Sequence, residues 1–558
     1  MKEFLKFALK PHLKEIIAIT ILTIIQTIFQ IRIIYYFDHS LDCVKKEHIP
    51  QLLTNGELMI VFTIILIICM ALIVVLTNRV SSQIAYETRA KIFNILTNLP
   101  TKELNKFPQT GLMSRTTRGV FTEQGFIIVI LRDLLPIPFV VIGVLVEIYF
   151  LHDIYAFILG GIILILTVAL VFKLKQITEL YFKAKKTYGR INFLFRDKVM
   201  GAKTIRIFQK QKFESEKFKE ASEDSYDNSI VFQLNQYYIA PLLLIILNII
   251  VVFLFWYLFE EYAIDNIFDH NQLTNFIVII QYVLYMITIL APIPKVIENW
   301  PRSYATSIRI EEVLAIEDKI YETEDKKTKS EFKGIEFKNV SFNQDKRDII
   351  SNISFKIPEK STVAIVGGNS SGKTSLMYLL DRLYDLTEGE ILINGIDIND
   401  CTAKEVRSKI SFAMQKNQIL NDTIYNNITM GDSTITKEEI IAVCEKTGLN
   451  KLFENENFNL DSEISENGSN ISKSFKEKIS LTRALVHDRD IYIFDEFNYQ
   501  MENKTNIILT KNIKEIINID HIIVLKDGKL VGEGNHDELI GNCPEYKNLY
   551  IEGGLHAN

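Results

Sequence analysis

TVAIVGGNSSGKTSLMYLLDRL, residues 362–383, decides the fold of the second half of the chain. A short apolar strand, 362–366, is followed by the spacing G-x-x-x-x-G-K-T over 367–374 and then by a helical pattern. Strand, loop and helix in this order are the signature of a phosphate-binding loop, in which glycines let main-chain N–H groups close on phosphates. A plain glycine turn entering a helix is the alternative, and it leaves Lys373 unexplained. The motif therefore predicts an α/β nucleotide-binding domain.

The same motif nominates the residues that hold the nucleotide. Lys373 is predicted to reach the β and γ phosphates, and Thr374 to ligate Mg²⁺ at the positive N-terminus of the following helix. The predicted ATP-binding residues are Gly367, Gly368, Asn369, Ser370, Ser371, Gly372, Lys373, Thr374 and Ser375.

A second motif, IYIFDE at 491–496, is an apolar strand that ends in two acids. Such a strand is common by itself, but it becomes specific when it follows a phosphate-binding loop in the chain. Asp495 is placed to complete the magnesium shell, and Glu496 is placed to polarise an attacking water. ATP and Mg²⁺ are therefore the predicted cofactors.

Composition separates the chain into two parts that face different solvents. The 558 residues have a mean hydropathy of +0.13, although the second half is rich in Lys, Glu, Asp and Asn. The formal net charge of -6 gives no electrostatic reason to expect a nucleic-acid partner. The five cysteines lie far apart without a CxxC pair, so no zinc or redox motif is indicated.

Six apolar stretches are long enough to cross a bilayer as helices, which takes about 20 residues each. They lie at about 16–36, 58–78, 133–151, 154–172, 240–259 and 273–293. Only His152 and Asp153 separate the third from the fourth, which predicts a tight hairpin. Between spans, 81–99 and 173–201 have helical character, so these segments should extend as long helices away from the membrane.

Basic residues set the orientation of the spans. Lys and Arg are dense before the first span and in 79–132 and 173–237, whereas 260–272 has four acids and no base. Because positive residues stay on the cytoplasmic side, both termini are predicted to be cytoplasmic in a multi-pass protein of the cytoplasmic membrane.

Four ionisable residues lie in or near the spans: Arg32, Arg132, Asp133 and Glu147. The first three are close to span ends, where a side chain can reach the interface. Glu147 lies deeper in its span, which suggests that it lines a cavity. The alternative is that the span boundary read from the sequence is off by several residues, so that Glu147 lies nearer the membrane surface.

With these motifs in place, the chain resembles the ATP-binding cassette (ABC) exporter family over nearly its full length. The resembling blocks are 111–120, 201–218, 341–342, 387–398, 412–428 and 525–539. The resemblance implies a multidomain fold: an all-α six-helix transmembrane domain at 1–317, a charged linker at 318–331 and an α/β P-loop NTPase domain at 332–558. It also implies that Gln415 links the γ-phosphate and Mg²⁺ to the membrane domain, as a metal-associated and catalytic residue.

Several family elements differ from expectation. The signature Leu-Ser-Gly-Gly-Gln corresponds to 471–475, ISKSF, and bulk at Lys473 and Phe475 is expected to obstruct its approach to ATP held by the opposite subunit. Lys511 stands for the switch histidine, and Gln344 for the aromatic residue that stacks on adenine. These departures weaken the expectation of fast hydrolysis.

The connection after Glu496 is also short. Only about nine residues precede the next apolar strand, near 506–509, whereas a parallel crossover normally takes a dozen or more and contains a helix. The sequence therefore predicts that the helix of the family is missing here.

The resemblance implies ATP-driven export of an amphipathic substrate (drug, lipid or peptide) by a dimer of ABC half-transporters in the lipid bilayer. A heterodimer with a more orthodox second half is favoured, because a homodimer would carry the altered signature in both sites. The alternative is a regulatory or structural subunit that binds ATP without useful turnover. Retained Glu496 opposes that alternative, whereas Lys511 and the missing helix support it. An enzyme acting on a soluble substrate would leave six spans without a role.

Overall fold

The computed structural model describes residues 2–45, 47–99, 101–104, 107, 109–265, 270–316, 333–344, 347–415, 418–456 and 458–555. The chain forms two compact units, Met1–Leu99 with Phe107–Lys319 and Pro100–Lys106 with Ile320–Asn558. The predicted linker at 318–331 lies outside the described residues.

The first unit is helical throughout its described part. Its helices are α1 (Lys2–Leu9), α2 (Leu13–Lys45), α3 (Ile49–Asn98), α5 (Gln109–Ser114), α6 (Val120–Ile128), α7 (Pro136–Leu151), α8 (Asp153–Met200), α9 (Ala202–Ile207), α10 (Gln211–Tyr237), α11 (Ile239–Asp265), α12 (His270–Leu290) and α13 (Ile293–Leu314). The short helix α4 (Thr101–Leu104) belongs to the second unit. Two π-helical turns, Arg115–Gly119 and Val129–Leu134, flank α6.

Six helical segments in the described part are long and apolar enough to cross a membrane, which confirms the predicted number of spans. On α3, Cys69 and Ile73 are buried, whereas Ile67 and Val75 are more than three-fifths exposed. Apolar side chains on the outer face are expected where the surrounding solvent is lipid rather than water. The predicted hairpin is also confirmed, since α7 ends at Leu151 and α8 begins at Asp153.

The long helices outside the spans were predicted correctly. α3 has 50 residues and α8 has 48, so each rises about 70–75 Å. This length is more than twice the roughly 30 Å of the hydrocarbon core, so both helices extend far beyond it.

Close helix packing builds the core of the membrane unit. Val144 and Ile148 on α7 pack with Tyr282 on α12, and all three side chains are at most 1% exposed. A Cβ atom at Gly143 would lie 2.6 Å from the Cδ1 atom of Ile31, so glycine is required where α7 meets α2. Tyr282 is thus a packing residue in this structure.

Of the three charges predicted near span ends, two pair with each other and the third lies over an aromatic ring. Asp133 accepts bonds from Arg132 at 2.8 Å and from Lys295 on α13 at 3.2 Å. Arg32 lies over the ring of Tyr35 at 5.1 Å. Glu147 is half-buried on α7, and its role as a cavity residue stays a prediction.

One buried acid of this unit carried no sequence signal. Glu123 on α6 is 1% exposed and accepts a hydrogen bond from the Ser303 hydroxyl at 2.7 Å. Its other oxygen, Oε1, has no hydrogen-bond partner within the described residues. A carboxyl group buried in this way is costly unless it is protonated or paired.

The second unit contains two sheets and confirms the predicted α/β class. Its strands are β1 (Gly334–Gln344), β2 (Arg347–Pro358), β3 (Thr362–Val366), β4 (Glu388–Ile393), β5 (Ile396–Asp397), β6 (Ile410–Ala413), β7 (Ile491–Asp495), β8 (Thr505–Thr510), β9 (His521–Lys526) and β10 (Lys529–Gly534). The antiparallel sheet has the order β2-β1-β4-β5, and the main sheet has the order β10-β9-β3-β8-β7-β6. Within the main sheet, all neighbours except β10 and β9 pair in parallel.

Helices cover the main sheet, as parallel strands require. The helices of this unit are α14 (Lys373–Leu380), α15 (Ala403–Ser408), α16 (Ile424–Thr429), α17 (Lys437–Thr447), α18 (Leu449–Glu456), α19 (Lys473–Val486), α20 (His536–Asn542) and α21 (Pro544–Leu555). Of these, α16, α17 and α18 pack on α19 and form a helical region with a core of its own. All residues of β7 and β8 are buried, which explains their nearly continuous apolar sequences. The core therefore lies on both faces of the sheet, and chemistry is left to the strand ends.

Candidate nucleotide site

Four parallel strands bring the predicted site residues to one edge of the sheet. The loop 367–372 follows β3, Lys511 follows β8, Glu496 follows β7, and Gln415 lies two residues beyond β6. β3, β8, β7 and β6 are consecutive neighbours in the sheet. Because the carboxyl ends of parallel strands meet at one edge, the sequence motifs converge there, where α/β sheets bind ligands.

The phosphate loop depends on close approach of main chain. A Cβ atom at Gly367 would lie 2.3 Å from the carbonyl oxygen of Leu525, so only glycine fits. Gly372 has φ +97°, a left-handed conformation that favours glycine. All nine predicted nucleotide-binding residues lie in this loop and the first turn of α14. The loop thus presents main-chain donors next to a helix N-terminus, a geometry suited to phosphates.

Lys373 is held inside the loop. Its side chain donates to the carbonyl oxygens of Gly367 at 2.7 Å and Gly368 at 3.1 Å. Burial lowers the pKa of Lys373, and the negative charges of Glu496 and Asp495 oppose that shift. The acids at the end of β7 therefore lie within electrostatic reach of the loop lysine.

Oxygen donors for a hard cation meet beside the loop. The Thr374 hydroxyl donates to the Asp495 carboxylate at 3.2 Å, and Asp495 is 5% exposed. Burial raises the pKa of Asp495 to about 6, and the bond from Thr374 opposes the shift. A hydroxyl and a carboxylate fit Mg²⁺, which prefers oxygen ligands and is usually held by few protein groups together with substrate phosphates. Gln415, the third predicted ligand, is exposed after β6.

Glu496 adopts an unusual backbone conformation. Its φ is +61°, and its N–H donates to the carbonyl oxygen of Leu509 at 2.8 Å. The chain therefore turns sharply as it leaves β7, directly after the magnesium-binding candidate Asp495. A non-glycine residue in this region is strained and is often found at functional sites.

Comparison with known proteins agrees with this arrangement. The sequence model of the ABC transporter family matches residues 350–498, and that of the ABC transporter transmembrane region matches 16–290. The chain is an ABC exporter half-transporter. It joins six membrane-spanning helices to a cytoplasmic ATPase domain in one polypeptide and is a multi-pass membrane protein.

Several relatives resemble the transporter over most of its length. It is 28% identical to an ATP-dependent lipid A-core flippase of Desulfotalea psychrophila, across 85% of this chain and 86% of that protein. It is 24% identical to a probable multidrug resistance ABC transporter of Bacillus subtilis, across 84% and 72%. A bacterial Atm1-family ABC exporter with ATP bound has the same fold, with a TM-score of 0.80, 19% identity and 99% of each chain covered.

The signature segment of the transporter corrects one expectation. Phe475 is fully buried, and its ring packs against Phe458 at 5.2 Å and Phe453 at 5.9 Å. Because the ring belongs to the core of the helical region, the prediction that its bulk obstructs ATP was wrong. Lys473 is different, since its side chain is 92% exposed at the start of α19.

Ser472, the retained residue of the signature, caps α19. Its hydroxyl accepts a hydrogen bond from the N–H of Phe475 at 3.2 Å. A serine in this position satisfies an N-terminal amide of the helix. Of the two signature residues expected to obstruct ATP, only Lys473 remains at the surface.

Sequence reasoning missed a half-buried arginine that stabilises the helical region. Arg483 on α19 donates to the carbonyl oxygen of Asn427 at 2.7 Å and to that of Gln418 at 3.4 Å. Asn427 is fully buried, and its amide bonds the main chain of Leu420 through both donor and acceptor. Arg483 thus connects α19 to the segment that follows β6. An arginine in an amphipathic helix gives no sequence signal for this role.

The short crossover after Glu496 is confirmed. β7 and β8 are parallel neighbours, and residues 496–504 join them without a helix. The helix that the family carries between these two strands is therefore absent from residues 496–504 of the transporter. Gln344 ends β1 and pairs with Arg347, and its role beside adenine stays a prediction.

Proposed function

We propose that this half-transporter hydrolyses ATP to export an amphipathic substrate across the cytoplasmic membrane, as one half of a heterodimer. The observation that carries the proposal is the convergence of the phosphate loop, the Thr374–Asp495 pair and Glu496 at one sheet edge. Mg²⁺, held by Thr374 and Asp495 with Gln415 close to it, would neutralise phosphate charge. The Glu496 and Lys373 side chains would act on the attacking water and on the phosphates, respectively.

In this mechanism, Glu496 polarises a water molecule that attacks the γ-phosphorus, and the bond to the β-phosphate oxygen breaks to release ADP. The main-chain donors of 367–372 and Lys373 stabilise the charge on the phosphates. Lys373 would exchange its bonds to Gly367 and Gly368 for phosphate oxygens. Closure of two nucleotide domains over ATP would then favour one state of the spans over the other.

The exposed Lys473 favours a heterodimer. At the start of α19 it would face the ATP of the opposite subunit, where family signatures carry glycine for close main-chain approach. A homodimer would place this lysine in both sites. A partner with an orthodox signature would leave the ATP bound by this chain with an ordinary cap, while Lys473 would alter only the second site.

The relatives suggest the class of substrate. One is named an ATP-dependent lipid A-core flippase and another a probable multidrug resistance ABC transporter. Tyr282 is buried in packing, so it is not a binding group in this state, whereas Trp256 is 71% exposed on α11. A lipid or amphipathic drug fits these apolar spans.

A regulatory subunit without turnover is the second candidate, because Lys511 and the helix-free crossover both alter the hydrolytic edge of the sheet. The test is ATP turnover in lipid for this chain alone and co-expressed with its genomic neighbour, if that gene encodes a second half-transporter. Glu496→Gln removes the acid, and Glu502→Gln, in the same segment but exposed, is the matched control. Turnover that depends on Glu496 supports the exporter, whereas turnover of the pair unaffected by Glu496→Gln supports the regulatory subunit.

A further inference from the structure

The crossover between β7 and β8 has too few residues for a helix. Ile491 pairs with Thr505 and Asp495 with Leu509, so residues 496–504 must return the full length of β7. That distance is about 13 Å, which takes roughly nine residues as a helix, before any turn is added, but only about four as an extended chain. An extended return is the solution that the length permits.

The return segment, residues 496–504, packs against the sheet with alternate side chains inward but is not paired with another strand. Phe497, Tyr499 and Met501 are half-buried against the sheet face, and the ring of Tyr499 lies 5.8 Å from that of Phe494. The alternate residues, 498, 500 and 502, are exposed. This alternation has the period of two that an extended chain produces. An extended segment lacks the internal hydrogen bonds of a helix, so its main chain needs other partners.

Asn506 supplies those partners. Asn506 lies on β8, inside the main sheet, and is 2% exposed. Its neighbours along β8 are apolar residues or threonine. Its side-chain oxygen accepts the N–H of Met501 at 2.8 Å, and its side-chain nitrogen donates to the carbonyl oxygens of Met501 at 3.0 Å and Lys504 at 3.2 Å. The carboxamide therefore pairs with Met501 as an adjacent strand would.

The sheet in turn holds the Asn506 side chain. Its nitrogen also donates to the hydroxyl of Thr362, the residue directly opposite on β3. An amide in a buried strand is unfavourable unless its donors and acceptor are satisfied. Here both kinds of group are satisfied, and the bonds extend from the strand before the phosphate loop to the return segment.

The same return segment begins at Glu496. At that end, the Glu496 N–H bonds the Leu509 carbonyl, and the residue keeps its left-handed φ of +61°. A strained conformation persists only when the flanking structure holds it. β7 fixes one flank, and Asn506 fixes the other through Met501, five residues along an extended and packed chain.

We propose that Asn506 is a positioning residue for Glu496, replacing the helix that would otherwise fix the chain after the catalytic acid. This inference rests on the proposed role of Glu496 in hydrolysis. Asn506 does not contact the nucleotide in this scheme; it acts by fixing the return segment. Displacing a catalytic group by about 1 Å can cost about 100-fold in rate.

The variant that tests this is Asn506→Leu, which keeps volume and removes all four side-chain bonds. Thr505→Val is the matched control, because Thr505 is also buried in β8 and accepts one main-chain bond, from Lys360, that does not lead to Glu496. In the assembly with Glu496-dependent turnover, Asn506→Leu should lower kcat by about 100-fold and leave the Kd for ATP within about twofold. Asn506→Asp, which keeps the acceptor for the Met501 N–H, should lose less.

A double-mutant cycle separates positioning from general destabilisation. In a Glu496→Gln background, Asn506→Leu should cause no further loss of kcat, because it acts through the acid that is already absent. A multiplicative loss in that background, or an equal loss in Thr505→Val, would overturn the proposal.

Hydrogen exchange gives a readout that needs no turnover. In the full-length chain in lipid, Asn506→Leu or Asn506→Asp should speed amide exchange within 496–504 by about tenfold or more relative to Thr505→Val. Unchanged exchange there refutes the role of Asn506 whatever the ATPase result. If instead Glu496→Gln leaves turnover intact, the proposed function fails, and exchange alone decides whether Asn506 holds the segment.

Discussion

Replacing Phe475 by glutamine, the residue that the family signature carries at this position, should destabilise the nucleotide-binding domain. The Phe475 side chain is fully buried and contacts two other rings. Truncating a buried phenylalanine costs about 3–5 kcal/mol. A glutamine at this position would fill part of the space but would bury an amide without hydrogen-bond partners. We expect a loss of about 3–5 kcal/mol in the free energy of unfolding.

Thermal unfolding of the full-length protein in detergent measures this effect. A loss of that size lowers the Tm of a domain of this size by about 10 °C. Lys473→Gly is the matched variant two residues earlier, and because that side chain is 92% exposed, it should cost no more than about 1 kcal/mol. Equal stability of Phe475→Gln and the unmodified protein would refute the assignment of Phe475 to the core.

The same pair of variants also separates packing from function. Lys473→Gly removes the bulk that remains at the surface of the signature, so it should raise turnover in the site that this signature completes. Phe475→Gln should not, although it restores a family residue. A gain in turnover from Phe475→Gln alone would contradict our reading of the segment.

Three further predictions concern one buried and two half-buried ionisable groups. Burial raises the pKa of Asp381 from 3.8 to about 6, so its ionisation lowers the stability of the folded protein from about pH 4 upward and has its full effect above about pH 6. Asp381→Asn should therefore add about 1–2 kcal/mol to the free energy of unfolding at pH 8 and nothing at about pH 3.5, measured by denaturation at both pH values. Arg483→Met should remove about 2–3 kcal/mol and speed hydrogen exchange in 418–428, because it leaves the Asn427 carbonyl without its partner. Glu123→Gln should stay within about 1 kcal/mol of the unmodified protein, since its amide oxygen can still accept from Ser303, whereas Glu123→Lys should lose more than about 3 kcal/mol.

Each of these predictions has a contradicting result. A gain for Asp381→Asn that is the same at both pH values would show that ionisation is not its cause. Slow exchange in 418–428 after Arg483→Met would mean that other bonds hold the segment. A stable Glu123→Lys protein would show that water or another charge reaches the Glu123 position.

The spans and the phosphate loop could be predicted from sequence because each has a strong local signal. Twenty apolar residues are needed to cross lipid, and a glycine spacing before Lys373 is needed to wrap phosphates. The missing helix was predictable for the same kind of reason, since the length of 496–504 limits what can fit. Local distances along the chain were sufficient in all three cases.

Burial, in contrast, could not be read from the signature segment. Lys473 and Phe475 are two residues apart, yet one is exposed and the other is in the core, because α19 begins at Lys473 and turns Phe475 inward. Asn506 and Arg483 were missed because their partners are main-chain groups elsewhere in the fold. A residue type alone does not reveal such partners, which depend on tertiary packing.

ATP turnover by the full-length chain in lipid, alone and with its partner half, tests the central claim most directly. We predict turnover that appears in the pair and falls by about tenfold or more with Glu496→Gln, while Glu502→Gln leaves it unchanged. Equal turnover of the pair with and without the Glu496 carboxylate would contradict the claim that this chain's own site hydrolyses ATP.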